Sequence, residues 1–182
     1  MQTEILIAGF GGQGVLFAGQ LLAYAGMEND KQVTWIPSYG PEMRGGTANC
    51  TVIVSDDEIG SPLVRHPKVL MAFNLPSLDK YESTVAEGGL LVINSSMVER
   101  STDRNNVRVV ALPANDEAEA LGDKRLTNMV MLGAMLANQN VLPIEALEKA
   151  LENHIPDRHR KLLPLNIKAL RKGAEFKAVG VK

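Results

Sequence analysis

The residues of this sequence that could do chemistry are concentrated in two loops, of which the first is rich in glycine. It reads Gly-Phe-Gly-Gly-Gln-Gly after a short apolar run, so it satisfies the pattern G-x-G-x-x-G between a strand and a helix. Glycines permit positive φ and let backbone N–H groups approach a ligand, while the start of a helix favours an anion. The pattern predicts contact with a phosphate or another anion through Gly9, Gly11, Gly12, Gln13 and Gly14.

As a dinucleotide-binding motif, however, the first loop is incomplete. Such a site needs an acidic residue at the end of the second strand, about 20 residues further on. Here that strand ends in Trp-Ile-Pro-Ser at 35–38, and Glu28 and Asp30 come ahead of it. NAD binding is therefore disfavoured. A tight turn that serves only helix–sheet packing remains the alternative to anion binding.

The second loop, residues 37–46, combines glycines with a hydroxyl, a carboxylate and a guanidinium. Because it follows a strand, it can lie at the same carboxyl edge of an open sheet as the first loop, where ligands bind. A guanidinium there suits a carboxylate or phosphate partner. We predict ligand-contacting residues at Ser38, Tyr39, Gly40, Glu42, Arg44, Gly45 and Gly46. A solvated loop whose charges only aid solubility is the alternative.

Alternating strands and helices must position these loops. Apolar runs predict strands at 5–8, 31–37, 47–55, 69–73, 90–93 and 107–112. Apolar periodicity predicts a helix at 15–26, a short helix near 76–81 and a helical segment from about residue 115, and the polar stretches 38–46 and 94–106 predict exposed connections. This order of elements predicts one domain, residues 1–182, with a three-layer α/β/α fold, a mostly parallel (mixed) sheet and a C-terminal helical segment.

Composition indicates an ordinary globular protein. Of 182 residues, 45% are hydrophobic and 22% are charged, and the formal net charge of −2 disfavours nucleic-acid binding. The single cysteine, Cys50, lies on an alternating apolar face, which predicts a buried thiol and leaves this chain unable to hold a disulfide or an iron–sulfur cluster by itself. The three histidines lack metal-ligand spacing. With no leader evident and no apolar run near 18 residues, we expect a soluble cytoplasmic protein.

Three segments together resemble the gamma subunit of 2-oxoacid:ferredoxin (acceptor) oxidoreductases, the pyruvate/ketoisovalerate/2-oxoglutarate oxidoreductase gamma family. They are Gly-Phe-Gly-Gly-Gln-Gly-Val at 9–15, Pro-Ser-Tyr-Gly-Pro-Glu-Met-Arg-Gly-Gly at 37–46 and Thr-Asn-Met-Val-Met-Leu-Gly-Ala at 127–134. Their order and spacing match that family, and the resemblance extends from near residue 3 to near residue 170. Two loops and a helix matched together are more specific than a lone glycine motif.

The resemblance implies one subunit of an enzyme that oxidatively decarboxylates a 2-oxoacid to an acyl-CoA. It implies alpha, beta and usually delta chains as partners, ferredoxin as electron acceptor, and thiamine diphosphate, magnesium and iron–sulfur clusters held by the partners. This chain lacks the Gly-Asp-Gly segment of a thiamine site, to which Gly122-Asp123-Lys124 is the nearest approach.

The isolated chain is therefore expected to bind no cofactor, to hold no catalytic residue and to be inactive. Its two loops would lie at the shared active-site region and contact coenzyme A, the co-substrate. A free-standing nucleotide- or CoA-phosphate-binding module and a pure scaffold subunit are the alternatives.

Overall fold

A computed structural model of the chain describes residues 1–39 and 46–180. The strands in this part are β1 (Gln2–Phe10), β2 (Gln32–Tyr39), β3 (Thr47–Ser55), β4 (Val69–Ala72), β5 (Leu90–Asn94) and β6 (Arg108–Leu112). The α-helices are α1 (Val15–Met27), α2 (Leu75–Tyr81), α3 (Ala114–Ala120), α4 (Thr127–Asn138), α5 (Ile144–His154) and α6 (Leu163–Gly173). Short 3-10 helices cover Glu82–Thr84, Lys124–Leu126 and Asp157–Leu162.

The six strands form one mixed sheet in the order β2-β3-β1-β4-β5-β6. Strands β1, β4, β5 and β6 are parallel neighbours, whereas β3 is antiparallel to both β1 and β2. Strand β2 therefore runs in the same direction as β1, and β3 alone is reversed. The carboxyl ends of the other five strands meet at one edge, which we call the carboxyl edge. The predicted mixed, mostly parallel sheet is confirmed.

The helices are distributed unevenly over the two faces of this sheet. On one face, α1 and α3 to α6 bury a large apolar core that includes Ile5, Ile7 and the α4 methionines Met129, Met131 and Met135. On the other face, α2 and the loops around it cover a smaller core. The predicted layers are present, but one outer layer is thin. The C-terminal helical segment supplies most of the thick layer.

Two predicted connections begin too early in the chain. The loop predicted from Ser38 is wrong at its start, because β2 continues through Pro37 to Tyr39, in register with Cys50 to Ala48 of β3. An edge strand tolerates proline because only one of its sides is paired. The exposed connection predicted from Asn94 is also wrong at its start, because Asn94 is the last residue of β5 and is fully buried.

Helices α4 and α6 contact each other directly through their backbones. A Cβ on Gly133 of α4 would overlap the carbonyl oxygen of Leu170, and a Cβ on Gly173 of α6 would overlap the carbonyl oxygen of Val130. Only glycine on both helices allows this separation. We call this contact the helix crossing.

Cys50 is buried between β3 and α1, as predicted. Its thiol donates to the carbonyl oxygen of Val15 at 3.6 Å, and a Cβ on Gly19 would overlap its sulfur. Burial raises the pKa of the Cys50 thiol to about 12. A thiol that stays protonated at neutral pH is a packing residue rather than a nucleophile.

Candidate functional site

The glycine turn, residues 9–14, connects the end of β1 to the start of α1 at the carboxyl edge. Gly12 and Gly14 have φ of 98° and 74°, values that side-chain-bearing residues rarely adopt. Gly14 is the N-cap of α1 and brings no side chain that could cap the helix. Gly14 thus offers no capping acceptor to the first N–H groups of α1, and a helix start of this kind suits an anion.

The side chain of Gln13 folds back over the turn instead of extending from it. Its Oε1 accepts from the backbone N–H of Phe10 at 2.7 Å and from Nδ2 of Asn74 at 3.0 Å. A Cβ on Gly9 would lie 2.6 Å from this oxygen and 2.9 Å from Cβ of Phe73. Gly9 is thus required so that the Gln13 amide can lie against the end of β1.

A second amide reaches the turn from the other side. Asn128, in the first turn of α4 and 5% exposed, donates through Nδ2 to the carbonyl oxygen of Gly14 at 3.3 Å. A Cβ on Gly14 would overlap that amide. The segment 127–134, which carries part of the family resemblance, thereby contacts the glycine turn directly.

Gly46, the last residue of the second loop, contacts the glycine turn. The backbone N–H of Gly11 donates to the carbonyl oxygen of Gly46 at 2.9 Å, and Ser38 is exposed near the end of β2. The backbone of Tyr39 pairs with Ala48, which itself pairs with Gly9. The two described ends of the second loop therefore lie beside the glycine turn at the carboxyl edge. The predicted site residues Gly40, Glu42, Arg44 and Gly45 lie outside the described residues.

Sequence reasoning missed a network of buried amides below the turn. Asn94 Nδ2 donates to the carbonyl oxygen of Phe73 at 3.2 Å and to Asn115 Oδ1 at 3.0 Å, and Thr127 Oγ1 lies 3.2 Å from the same Asn115 oxygen. Among the described residues, no group hydrogen-bonds Asn94 Oδ1. The available signal was positional: Asn74 and Asn94 each close an apolar strand, at the edge where ligands bind.

Two cavities flank the glycine turn and share Gly12 and Arg125. The smaller, of about 230 Å³, is lined by Gly12, Gln13, Asn115, Lys124, Arg125 and Thr127. The larger, of about 370 Å³, has apolar walls that include Phe17 and Leu162, and a rim that includes Arg158 and His159. Together they offer room for a ligand with an anionic group and an apolar body.

Basic side chains dominate the rim of both cavities. Arg125 pairs with Asp123 at 2.6 Å, and Lys124 pairs with Glu119 at 3.3 Å. The hydrogen bonds from Arg125 hold the pKa of Asp123 below its ordinary value. Both cations are well exposed, so an incoming anion could engage them without breaking into the core.

Neither a metal centre nor a membrane span is found in the described part of the chain. Residues 1–39 and 46–180 contain no group of three or more His, Cys, Asp or Glu side chains placed to hold a metal ion. Over the same residues, no helix has the length and apolar character needed to cross a membrane.

The profile of the family described as pyruvate ferredoxin/flavodoxin oxidoreductase matches residues 4–176 of the chain. The ketoisovalerate oxidoreductase subunit VorA of Methanothermobacter marburgensis is 39% identical over 96% of this chain but only 36% of its own length. The chain thus spans about a third of that relative.

Two further proteins match over nearly their whole length. The 2-oxoglutarate synthase subunit KorC of Methanothermobacter marburgensis is 35% identical over 100% of both chains. The crystal structure of a keto/oxoacid ferredoxin oxidoreductase gamma subunit from Geobacter sulfurreducens is 33% identical, with a TM-score of 0.83 over 96% of this chain and 95% of that one.

Proposed function

Because the chain belongs to the pyruvate ferredoxin/flavodoxin oxidoreductase family, we propose that it acts as the gamma subunit of a 2-oxoacid:ferredoxin oxidoreductase. The complex oxidatively decarboxylates a 2-oxoacid to an acyl-CoA and passes the electrons to ferredoxin. The observation that carries this proposal is the full-length match to a 2-oxoglutarate synthase subunit and to a gamma subunit of known structure.

The work of the complex is divided between this chain and its partners. A cluster needs several cysteine thiolates, and the one cysteine here is buried with a raised pKa. Gly122-Asp123-Lys124 does not provide a thiamine-binding segment, and Asp123 is engaged by Arg125. Thiamine diphosphate, magnesium and the iron–sulfur clusters are therefore assigned to alpha, beta and delta chains.

The share of this chain in the reaction is to present the glycine turn and the second loop to the common active-site region. The start of α1, whose N-cap Gly14 brings no capping side chain, and the nearby Lys124 and Arg125 suit the phosphates of coenzyme A. The apolar walls of the larger cavity suit a less polar portion of the same molecule. This chain then binds and orients the co-substrate, while bond making occurs on its partners.

Two alternatives make different predictions. A free-standing CoA-phosphate-binding module would be isolated from its native source as a lone chain. A pure scaffold subunit would assemble with partners but would tolerate changes in the glycine turn. The names of the relatives include both ketoisovalerate and 2-oxoglutarate, so the 2-oxoacid is identified by assay rather than by the family match.

Affinity purification of the native protein tests the subunit assignment. We expect alpha- and beta-type chains in stoichiometric amounts, and 2-oxoacid-dependent reduction of a viologen dye by the complex but not by the isolated chain. Recovery of a lone monomer, or dye reduction by this chain alone, would contradict the proposal. Assays with pyruvate, 2-oxoglutarate and branched-chain 2-oxoacids then identify the substrate.

The loop contribution is tested by replacing Arg44 with alanine in the assembled complex. Because a guanidinium–phosphate contact is a strong charge-assisted bond, we expect the KM for coenzyme A to rise by roughly tenfold. Arg65→Ala is the matched control, because exposed Arg65 precedes β4 at the opposite edge of the sheet. Unchanged turnover and an unchanged KM for coenzyme A in Arg44→Ala would remove Arg44 from the site.

A further inference from the structure

Asn74 stands at a junction of three elements. It follows β4, it is the N-cap of α2, and it is 1% exposed. Its Oδ1 accepts from the backbone N–H of Ser77 at 3.0 Å, which is the capping bond, while its Nδ2 donates to Gln13 Oε1 at 3.0 Å. The oxygen of the Asn74 amide therefore caps α2, while its nitrogen donates to Gln13.

The orientation of both amides in this pair is fixed by backbone donors. The N–H of Ser77 requires the oxygen of Asn74 at one end, and the N–H of Phe10 requires the oxygen of Gln13 at the other. Between them, the NH₂ group of Asn74 must therefore donate to Gln13. A rotated amide would place two acceptors or two donors against each other.

Gln13 in turn makes two hydrogen bonds to Phe10 within the glycine turn. Its backbone N–H donates to the carbonyl oxygen of Phe10 at 3.2 Å, and its side chain accepts from the N–H of the same residue. Because Asn74 is the partner that reaches this side chain from another element, its NH₂ group fixes where the turn lies relative to β4 and α2.

We propose that Asn74 is a positioning residue that holds the glycine turn, through Gln13, in the shape that receives its ligand. The link to coenzyme A rests on the function proposed above, whereas the link to the turn does not. In the complex, Asn74 acts on the KM for coenzyme A and leaves turnover at saturation intact, because it touches the turn rather than the reacting atoms.

The test variant is Asn74→Ser in the full chain and in the assembled complex. Serine caps helices as well as asparagine does, so the N-cap of α2 is kept. Because its hydroxyl is too short to reach Gln13, the hydrogen bond to Gln13 Oε1 is lost. Amide hydrogen exchange at Phe10 should accelerate by roughly three- to tenfold, the equivalent of one hydrogen bond. The KM for coenzyme A should rise by a similar factor, while kcat and the KM for the 2-oxoacid stay the same.

Asn138→Ser is the matched control. Asn138 lies on α4, donates to the carbonyl oxygens of Ala134 and Phe176, and contacts no part of the glycine turn. This variant shows how far the loss of a structural amide elsewhere accelerates amide hydrogen exchange throughout the molecule. Faster exchange at Phe10 in Asn138→Ser as well would show a global effect and overturn the assignment to Asn74.

A second variant, Asn74→Asp, tests the donor itself. An ionised carboxylate can still cap α2 but cannot donate to Gln13, whereas a protonated carboxyl group can do both. Relative to the wild type at the same pH, exchange at Phe10 should be fast above the pKa of the new carboxyl and normal below it. Fast exchange at every pH would contradict the donor role.

The results distinguish the positioning role of Asn74 from the contact between the glycine turn and coenzyme A. If exchange at Phe10 is unchanged in Asn74→Ser, the positioning role is overturned whatever the enzyme does. If exchange rises while the KM for coenzyme A stays the same, the positioning role holds and the contact between the turn and coenzyme A is overturned.

Discussion

Glycine serves different purposes in the glycine turn and in the helix crossing. In the turn, Gly12 and Gly14 adopt positive φ, and the missing Cβ atoms of Gly9 and Gly14 make room for the amides of Gln13 and Asn128 respectively. In the helix crossing, Gly133 and Gly173 let two helical backbones touch at carbonyl oxygens. The glycine turn lies among polar side chains and two open cavities, whereas the helix crossing joins two buried segments of backbone.

This difference separates the proposed ligand-binding region from a region that only packs. The turn leaves the start of α1 without a capping side chain and borders two cavities at the carboxyl edge, so a substitution there should affect stability and, under the proposed function, ligand binding. The helix crossing is buried in the main core, so a substitution there should affect stability alone.

The largest effect is expected from Gly133→Ala. Its Cβ would overlap the carbonyl oxygen of Leu170, a backbone atom that cannot move without displacing α6. Although alanine favours helix by about 1 kcal/mol, overpacking should lower the free energy of unfolding by about 3 kcal/mol or more. Denaturant-induced unfolding measures this loss.

Gly60→Ala provides the control for that experiment. No atom of the described residues lies within 4 Å of a Cβ at Gly60, so its stability should stay within about 0.5 kcal/mol of the wild type. A Gly133→Ala protein as stable as Gly60→Ala would show that α4 and α6 do not pack as described.

A smaller loss is expected from Gly14→Ala. The left-handed backbone costs an alanine about 1–2 kcal/mol, and displacement of the Asn128 amide costs about 1 kcal/mol more. Gly12→Ala carries the backbone cost alone, because no described atom lies within 4 Å of its Cβ. The free energies of unfolding of the two variants, measured by thermal unfolding, should differ by the contribution of the Asn128 contact. Equal melting temperatures would show that this contact does not stabilise the fold.

The smallest effect at neutral pH is expected from Cys50, whose sulfur occupies the space that Gly19 leaves. The folded-state pKa of about 12 lies above the unfolded value of 9.0, so this group's contribution is fully present below about pH 9 and is lost as pH rises toward 12. Unfolding at pH 7 and pH 10 should show a loss of about 1 kcal/mol that Cys50→Ala does not share. Parallel losses in the two proteins would contradict the buried, protonated thiol.

The sequence predicts features that depend on neighbouring residues. The glycine turn, the strands and the C-terminal helical segment follow from local spacing, and so does the expected position of the two loops at one edge. The helix crossing does not, because Gly133 and Gly173 lie 40 residues apart and neither pattern signals the other. The amide network does not follow from local spacing either, because Asn74 and Gln13 are 61 positions apart in the sequence.

The boundaries that failed have a similar cause. Proline and asparagine predict the end of a strand or the start of a loop, yet Pro37 lies inside β2 and Asn94 is still part of β5, as its last residue. Pairing with β3 extends β2 past Pro37, and hydrogen bonds to Phe73 and Asn115 satisfy the buried Asn94 amide nitrogen. In both places tertiary partners outweigh local preference.

The most direct test of the account is the KM for coenzyme A of the assembled complex that carries Gly12→Ala. Gly12 lines both cavities, so a methyl group there enters the proposed ligand space without entering the core. We expect the KM for coenzyme A to rise by roughly tenfold while the complex stays assembled. An unchanged KM, in a complex whose assembly and turnover are also unchanged, would show that the glycine turn is scaffold and not a binding site.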